Sequence, residues 1–463
     1  MTDLIERSTL RERTAAAVAD PRLRISLERA TDALGMRKAA AYGQFADPNR
    51  LRAAARAAKA DVLSRLDRIL EQLADRMELA GVIVHWAQTD EEARTIVRGI
   101  AADRNVRRVV KSKSMLTEEI GLNHALEADG IEVTETDLGE WIIQLAGEAP
   151  SHIIVPAIHQ DRHQIRDTLQ QVADGDLSDV PEELAAFART TLRQRFLEAD
   201  MGISGVNFAI AETGTLILVT NEGNGRLTTS VPPVHVAVLG MERVLESWDQ
   251  LDLFLGLLTR AATGQPITTY VSAITGPRQQ GEADGPGELH VVIVDNGRSD
   301  ILGTEFTEML ACVRCGACLN VCPVYRVTGG HAYGWVYPGP MGAVLTPLLL
   351  QSEAADEVPN ASSLCGACWQ ACPVGIPLQD MLLALRRRSA PNASAVEKAT
   401  WKAWAAAWSR PAAYRASLRA GSLGSRMINP SMLPGPGRRW TEGREAPKMA
   451  RKSFRQQWKD RKP

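Results

Sequence analysis

Residues 312–325 read CVRCGACLNVCPVY, four cysteines in the pattern C-x2-C-x2-C-x3-C with proline after the last. Residues 363–377, SLCGACWQACPVGIP, repeat the phrase, and Ser362 stands where the first cysteine of the repeat would fall. The first run has the spacing of bacterial two-cluster ferredoxins, in which three thiolates hold one cubane and the fourth reaches the neighbouring cluster. Soft thiolates suit iron–sulfur centres, and tight turns set three sulfurs around one corner of a cluster. Applied here, that interleaving assigns Cys312, Cys315, Cys318 and Cys372 to one 4Fe–4S cluster and leaves Cys322, Cys365 and Cys368 for a second. The second set is one thiolate short. It fits a 3Fe–4S cluster, a 4Fe–4S cluster completed by the Ser362 hydroxyl or by water, or a site finished by a partner or a substrate. Zinc is the plainer alternative, but zinc sites favour separated cysteine pairs that close a tetrahedron, and three cysteines at successive two-residue gaps fit that poorly.

All seven cysteines of the chain lie in these two runs, none spent on a spaced disulfide framework, which suits a reducing cytoplasm. The opening MTDLIERSTLRERTAAAVAD mixes acids and bases without an apolar segment, and no stretch approaches the ~18 apolar residues of a membrane span. A cytoplasmic location is therefore expected. A chain of 463 residues, 45% of them hydrophobic, has the material for several cored domains. The net charge of −2 hides an asymmetry: from Arg386 to Pro463 there are 19 Lys/Arg against 4 Asp/Glu, so the end is basic and the remainder acidic.

The pattern along the chain predicts four parts. Residues 1–78 read as helical, with Leu63, Leu66, Leu70 and Leu73 at helical spacing. Residues 79–298 alternate strands with helices: GVIVHWA, VRRVVKS, IEVTET, HIIVPAI, HVAVLG and ELHVVIVDNG read as β-runs, and Thr89 with Glu92 as a capping box. Such alternation argues for a parallel sheet covered by helices. Residues 299–388 form a helical ferredoxin-type module that begins with a helix, and residues 389–463 a basic extension with a short Trp-bearing helix followed by loosely ordered Pro/Gly-rich chain. No G-x-G-x-x-G follows a strand, so no flavin or nicotinamide fingerprint of that kind is present.

Several stretches together carry a resemblance: GVNFAIAETGTLILVTNEGNGRLTTSVPPVHVAVLGMERV (205–244), SHIIVPAIHQDRHQI (151–165), GGHAYGWVYPGP and the two cysteine runs. Across about residues 60–460 the chain resembles the lactate-utilisation iron–sulfur proteins, component B of a three-part L-lactate oxidation system. The resemblance implies a lactate-utilisation domain with a fold similar to the ribose-5-phosphate isomerase and CoA-transferase group, a two-cluster ferredoxin-type domain and a basic C-terminal extension. It also implies two partners, a cysteine-rich iron–sulfur oxidoreductase (component A) and a smaller protein sharing the α/β domain (component C), which together take L-lactate to pyruvate. Seven cysteines are the family pattern, so Ser362 is no mark of a decayed repeat. The implied role is electron transfer, with an enzymatic step on another subunit.

No site residue of the α/β domain follows from the resemblance, and the candidates there rest on chemistry alone. Gly223 and Gly225 flank Asn224 ahead of Arg226, a loop that suits an anion such as lactate or pyruvate. A strand-end loop in which glycine merely permits positive φ is the plainer reading. Glu212 is a catalytic candidate beside a turn, where a structural acceptor is more usual. His152, His159 and His163 suggest a proton relay or, more simply, ordinary histidines at a helix N-terminus. Lys111 and Lys113 follow a strand and are candidates to meet an anionic ligand, although most lysines there are solvated; His331 and Tyr333 lie between the cysteine runs as donors to sulfur or as a packed loop. Trp401, Trp404 and Trp408 align on one helix face beside Lys402 and Arg410, a docking face for the protein itself or a partner, with peripheral contact to an anionic membrane as the sharper idea. Nucleic-acid binding is not expected, since no recognised binding fold accompanies the basic stretch. Two other functions stay open: a 2-hydroxy acid oxidoreductase that binds substrate at the incomplete cluster, and a redox-sensing scaffold.

Overall fold

The computed structural model describes residues 3–392, 394–427, 450 and 452–461. The chain divides into two compact units, Met1–Arg388 and Ser389–Pro463. The first unit opens with a short helix, Asp3–Arg7, followed by helices Leu10–Val18, Pro21–Tyr42, Pro48–Ser64 and Leu66–Leu79. Their starts are written locally: Thr9 and Glu12 form a reciprocal capping box, while Asp20 and Asp47 each cap a helix whose first residue is proline. Helix Leu66–Leu79 buries Leu66, Ile69, Leu70, Leu73 and Met77, the face its spacing predicts.

Ten strands follow: β1 (Ile83–Ala87), β2 (Arg108–Lys111), β3 (Glu132–Glu135), β4 (Met201–Gly205), β5 (Phe208–Ile210), β6 (Thr215–Thr220), β7 (Val234–Gly240), β8 (Val244–Leu245), β9 (Tyr270–Ile274) and β10 (Glu288–Val294). Six of them make a sheet in the order β1-β10-β7-β4-β2-β3 with every pairing parallel, as the alternation of strands and helices predicts. The chain steps outward from β2 to β3, then returns to the other side of β2 with β4. Connections therefore leave β2 and β4 in opposite directions, and the crevice between their carboxyl ends is the topological switch point where open α/β sheets hold ligands. A second sheet, β8-β5-β6-β9, is built on the β5–β6 hairpin. Its turn residue Gly214 has φ +69°, and a Cβ there would lie 2.7 Å from the backbone of Arg76 and Met77, so glycine is required by both conformation and space.

Three expectations are corrected. HIIVPAI is not a strand: the His152 ring nitrogen Nδ1 accepts the Ile154 and Val155 amides at 3.0 and 3.2 Å, and Ser151 N–H bonds Pro156 O, so local bonds replace a ladder. Glu92 does not close a capping box, because its carboxylate accepts the Gln88 amide and only Thr89 caps the helix. The segment before the cysteines is turns and a short 3-10 helix, Thr307–Ala311, rather than a helix from residue 302.

The cysteine module is helical, with Gly339–Leu350 and Leu378–Ser389 as its longer helices. It shares one hydrophobic core with the N-terminal helices and the second sheet, joining Leu27, Leu73, Phe208, Phe254, Met309 and Leu319. In the second unit, helix Ala395–Trp408 stops ahead of Pro411, which begins helix Pro411–Met427, and a further helix spans Phe454–Asp460. Trp401, Trp404 and Trp408 lie ring to ring at 5.8 and 5.2 Å on an exposed face. The stretch read as loosely ordered, about 428–449, lies outside the described residues. No helix among the described residues is long and apolar enough to cross a membrane.

Strand ends and cysteine module are locked by a buried charge network. Arg298, after β10, bonds Glu119 at 2.8 and 2.9 Å and Glu242, after β7, at 2.7 Å. Tyr337 of the cysteine module donates to Glu119 at 2.6 Å. Burial alone would raise the Glu242 pKa, yet Arg298, then Arg314 and Arg243, outweigh it and hold the carboxyl at about 2. Replacing Arg298 by Met strands two buried carboxylates and should cost about 3–5 kcal/mol in anaerobic urea unfolding at pH 7. In that variant Glu242 keeps Arg314 and Arg243 but loses its strongest partner, so its pKa rises from the wild-type value and the folded variant takes up a proton at a pH where the folded wild type does not. The deficit should accordingly shrink as the pH is lowered toward 5.

Candidate metal centre and adjoining cavity

Both cysteine runs turn through the same unusual backbone. Arg314 and Gly316 have φ +56° and +73°, and their counterparts Leu364 and Gly366 have +54° and +80°. In the first run the Arg314 amide points at the Cys312 sulfur at 3.5 Å; in the second the Leu364 amide points at the Ser362 hydroxyl at 3.1 Å. Ser362 thus occupies the geometric place of Cys312. It keeps the turn and offers oxygen where the first run offers sulfur.

Cys312, Cys315, Cys318 and Cys372 line one small apolar cavity together with Ile153, Arg314 and Met341. Among the described residues no three His, Cys, Asp or Glu side chains close on a single ion; these sulfurs stand around a space instead. Burial, then the neighbouring Cys372, pushes the Cys315 thiol up to about 12, and burial with nearby cysteines raises Cys318 and Cys372 as well. Thiols so placed ionise readily only when a metal supplies positive charge. Amide hydrogens point at sulfur from Ala317 to Cys315 and from Ile376 to Cys372, the latter at 3.4 Å. The residues present fit an iron–sulfur group. Lys38, from the N-terminal helix Pro21–Tyr42, bonds Ala371 O within electrostatic reach of Cys315, Cys372 and Cys318, a cation that no local motif announces.

Cys322, Cys365 and Cys368 form the other group: Cys365 acts to raise the Cys322 pKa, and Cys322 and Cys365 both act to raise that of Cys368. Burial raises Cys322, and its sulfur receives the Tyr325 and Val324 amides. Cys365 is exposed, and the Ala367 amide, then the Ser363 hydroxyl, lower its pKa. One set is therefore interior and the other reaches the surface, beside the half-exposed Trp369 whose ring stacks under Arg52 at 4.8 Å. The Tyr333 hydroxyl is buried without a partner of proper hydrogen-bond geometry and sits near Cys322, as a donor to sulfur requires. His331 does not; it bonds Ala149 O at 2.7 Å and packs on His159.

A second cavity, of about 340 Å3, opens at the switch point of the parallel sheet. Ser112, Lys113 and Ser114 enter it after β2, Gly205 to Asn207 from the end of β4 onward, and Gly240, Glu242 and Arg243 from the end of β7 onward. Ile153 and Arg314 line this cavity and the cysteine-lined one alike, so a wall one residue thick separates them.

Family models described as LUD domain, 4Fe-4S dicluster domain, and lactate utilisation protein B, C-terminal, match residues 70–294, 308–376 and 384–463. Lactate utilization protein B of Bacillus licheniformis is 46% identical over 467 residues, covering 98% of this chain and 96% of that one. Those of Oceanobacillus iheyensis and Bacillus subtilis are 50% identical (86% of this chain, 85% of theirs) and 44% identical (97% and 96%). The chain belongs to the lactate utilization protein B family. The role of that family is lactate utilisation, and its 4Fe-4S dicluster domain houses iron–sulfur clusters. A DUF162 family protein from Deinococcus radiodurans, 17% identical, covers 50% of this chain and 98% of its own with a TM-score of 0.29.

In this family member the loop candidates scatter. Arg226 is exposed on helix Asn224–Ser230 and Glu212 is exposed near the Trp248 amide, and neither lines the cavity; Asn224 does. Lys111 is buried between Glu118 at 2.9 Å and Glu135 at 2.7 Å and is closed to a ligand, whereas Lys113 faces the cavity and bonds Ile154 O. His152, His159 and His163 form no relay. His159 pairs with Glu148, the exposed His163 with Asp179, and His152 is a buried joint whose Nε2 donates to Asn320 Oδ1 at 3.2 Å. Arg243, Arg298, Arg314 and Tyr337 carry no motif. A rule that ligands gather after the carboxyl ends of parallel strands points to Glu242 and Arg243, directly behind HVAVLG.

Burial, then Lys113, pushes the His152 pKa down to about 3. Between about pH 6.5 and 3 the unfolded chain binds a proton there that the folded chain refuses, so this residue lowers stability as the pH falls below 6.5, by at most ~1.4 kcal/mol per unit. His152→Gln should flatten the stability–pH slope between pH 6.5 and 5 by up to one proton, measured by urea unfolding.

Proposed function

We propose that the chain is the iron–sulfur electron-carrying component of a multi-component system that oxidises L-lactate to pyruvate. The observation that carries this reading is the pair of adjacent cysteine sets, one interior and one reaching the surface at Cys365. Cys312, Cys315, Cys318 and Cys372 are assigned to one 4Fe–4S cluster. Cys322, Cys365 and Cys368 are assigned to a second, of 3Fe–4S or 4Fe–4S form, with Ser362 as the alternative fourth ligand. Such clusters, when bound, take up and release one electron at a time. The chain's own residues support that use: apolar walls exclude water, amides bond the sulfurs, and Lys38 offsets negative charge near the interior set. The exposed Cys365 and Trp369, the latter next to Cys368, offer a face to a redox partner, which the family context suggests is component A, with component C as the other member. The exposed tryptophan face of Ala395–Trp408 is a second docking face for a partner or an anionic membrane surface. The four-part division at residues 78, 298 and 388 belongs to the same reading.

Anaerobically purified protein, examined by EPR with L-lactate, should have its clusters reduced only when components A and C are present. Reduction by lactate alone would move the chemistry into this chain and overturn the proposal. Replacing Cys372 by Ala should convert the interior centre to a three-thiolate form while sparing the other, and Cys322→Ala should do the reverse, as read by Mössbauer spectra and iron content. If Cys322→Ala instead disturbs the interior centre, the interleaved assignment is wrong.

A further inference from the structure

The 340 Å3 cavity at the switch point is claimed by nothing above, and its charge is unevenly placed. Arg298, on its wall, is consumed by Glu119 and Glu242. Arg314 reaches Glu242 only at 3.5 Å, and its ring partner is Tyr337 at 4.8 Å. Arg243 donates to the Cys312 carbonyl at 3.0 Å and forms no ion pair among the described residues. It is set deep in the protein yet keeps accessible surface, because it faces the cavity. Arg314 also lies close enough to Arg243 to disfavour its charge. Two guanidiniums held together with open donors match the planar fork of a carboxylate.

The remainder of the wall narrows the ligand. Asp137 and Glu222 lie within electrostatic reach of each other, and Lys113, the cation beside them, is shared with Glu140 at 3.6 Å, so that part of the cavity carries more negative than positive charge. A phosphate ester or other polyanion would meet these carboxylates, while a monoanion at the arginines would not. Ser112, Ser114 and Asn207 add polar groups for a hydroxyl or oxo substituent. Arg314 sits between two cysteines, its amide on the Cys312 sulfur and its guanidinium in the cavity, in a left-handed conformation unusual for a side chain of its size. An occupant is thus one residue from the interior cysteine set.

We propose that this cavity binds a small 2-hydroxy or 2-oxo monocarboxylate, its carboxylate held by Arg243 and Arg314 against the wall shared with Cys312. The choice of acid rests on the lactate reading above; the location and the monoanion class rest on the cavity. Calorimetric titration of the anaerobic holoprotein with pyruvate and with L-lactate tests it. Saturable one-to-one binding is expected, weakened at least tenfold by Arg243→Gln, less by Arg243→Lys, and unchanged within twofold by Arg226→Gln, which alters the exposed arginine of helix Asn224–Ser230. Asn224→Trp, which fills the cavity from its half-exposed rim, should also block binding and guards against misfolding of the arginine variants. Bound pyruvate should shift the EPR signal of the reduced interior centre in the wild type and not in Arg243→Gln.

No binding of either acid, equal binding in Arg243→Gln and Asn224→Trp, or tighter binding of inorganic phosphate than of pyruvate would overturn the proposal. Electron transfer with components A and C that proceeds although no acid binds here would sink this inference alone. Binding here without partner-dependent reduction would leave it standing and sink the electron-carrier reading.

Discussion

The buried pairing of Arg298 with Glu119 and Glu242 is the constraint on which the arrangement of the first unit depends. Its three members follow β2, β7 and β10, and the Tyr337 hydroxyl and the Arg314 guanidinium extend it into the cysteine module. Ion pairs this deep contribute little net stability over apolar packing, but they tolerate few geometries, because a displaced partner leaves a bare charge in a dry interior. The network therefore fixes where the cysteine module stands on the carboxyl edge of the sheet. Lys59 does the same for the N-terminal helices, its buried amino group bonding the Glu242 and Val244 carbonyls, the former at 2.5 Å. Burial, then Arg243, pulls its pKa down to about 7.

That placement has a consequence for function. The residues that close the parallel sheet's natural ligand crevice are the same ones that enclose the Cys312 set, with Ile153 and Arg314 common to both. Segment 151–158 could not serve as such a wall if it were a strand. Its local bonding to His152 lets Ser151 meet Tyr325 and Gly330, where a Cβ on Gly330 would fall 2.0 Å from the Ser151 carbonyl oxygen. The close approach of the two parts is written into a glycine, a serine and a histidine that individually look unremarkable.

Legibility followed the range of the interactions involved. The caps at Asp20 and Asp47, the apolar face of Leu66–Leu79, the parallel strands and the cysteine turns all rest on residues a few positions apart, and each was open to reading from spacing. The second sheet was not, since β8 has only two residues and joins β5 through a pairing that no local pattern announces. Nor were the roles of the polar residues. Lys111 and Lys113 are two positions apart, which would put them on one face of a strand, but β2 ends at Lys111, and the chain beyond it turns Lys113 toward the cavity while Lys111 stays in a buried ion pair.

By itself the sequence determined the metal chemistry, the α/β and ferredoxin-type classes and the family, because cysteine spacing and hydrophobic period are local properties that hold in any context. The tertiary structure alone decided that the Leu364 amide meets the Ser362 hydroxyl as the Arg314 amide meets the Cys312 sulfur, that Lys38 lies within reach of the interior cysteines, and that Arg243 and Arg314 rather than Arg226 face the switch-point cavity. A side chain's charge acquires its meaning from burial and from partners that are distant in sequence, and those are set only when the whole chain has packed.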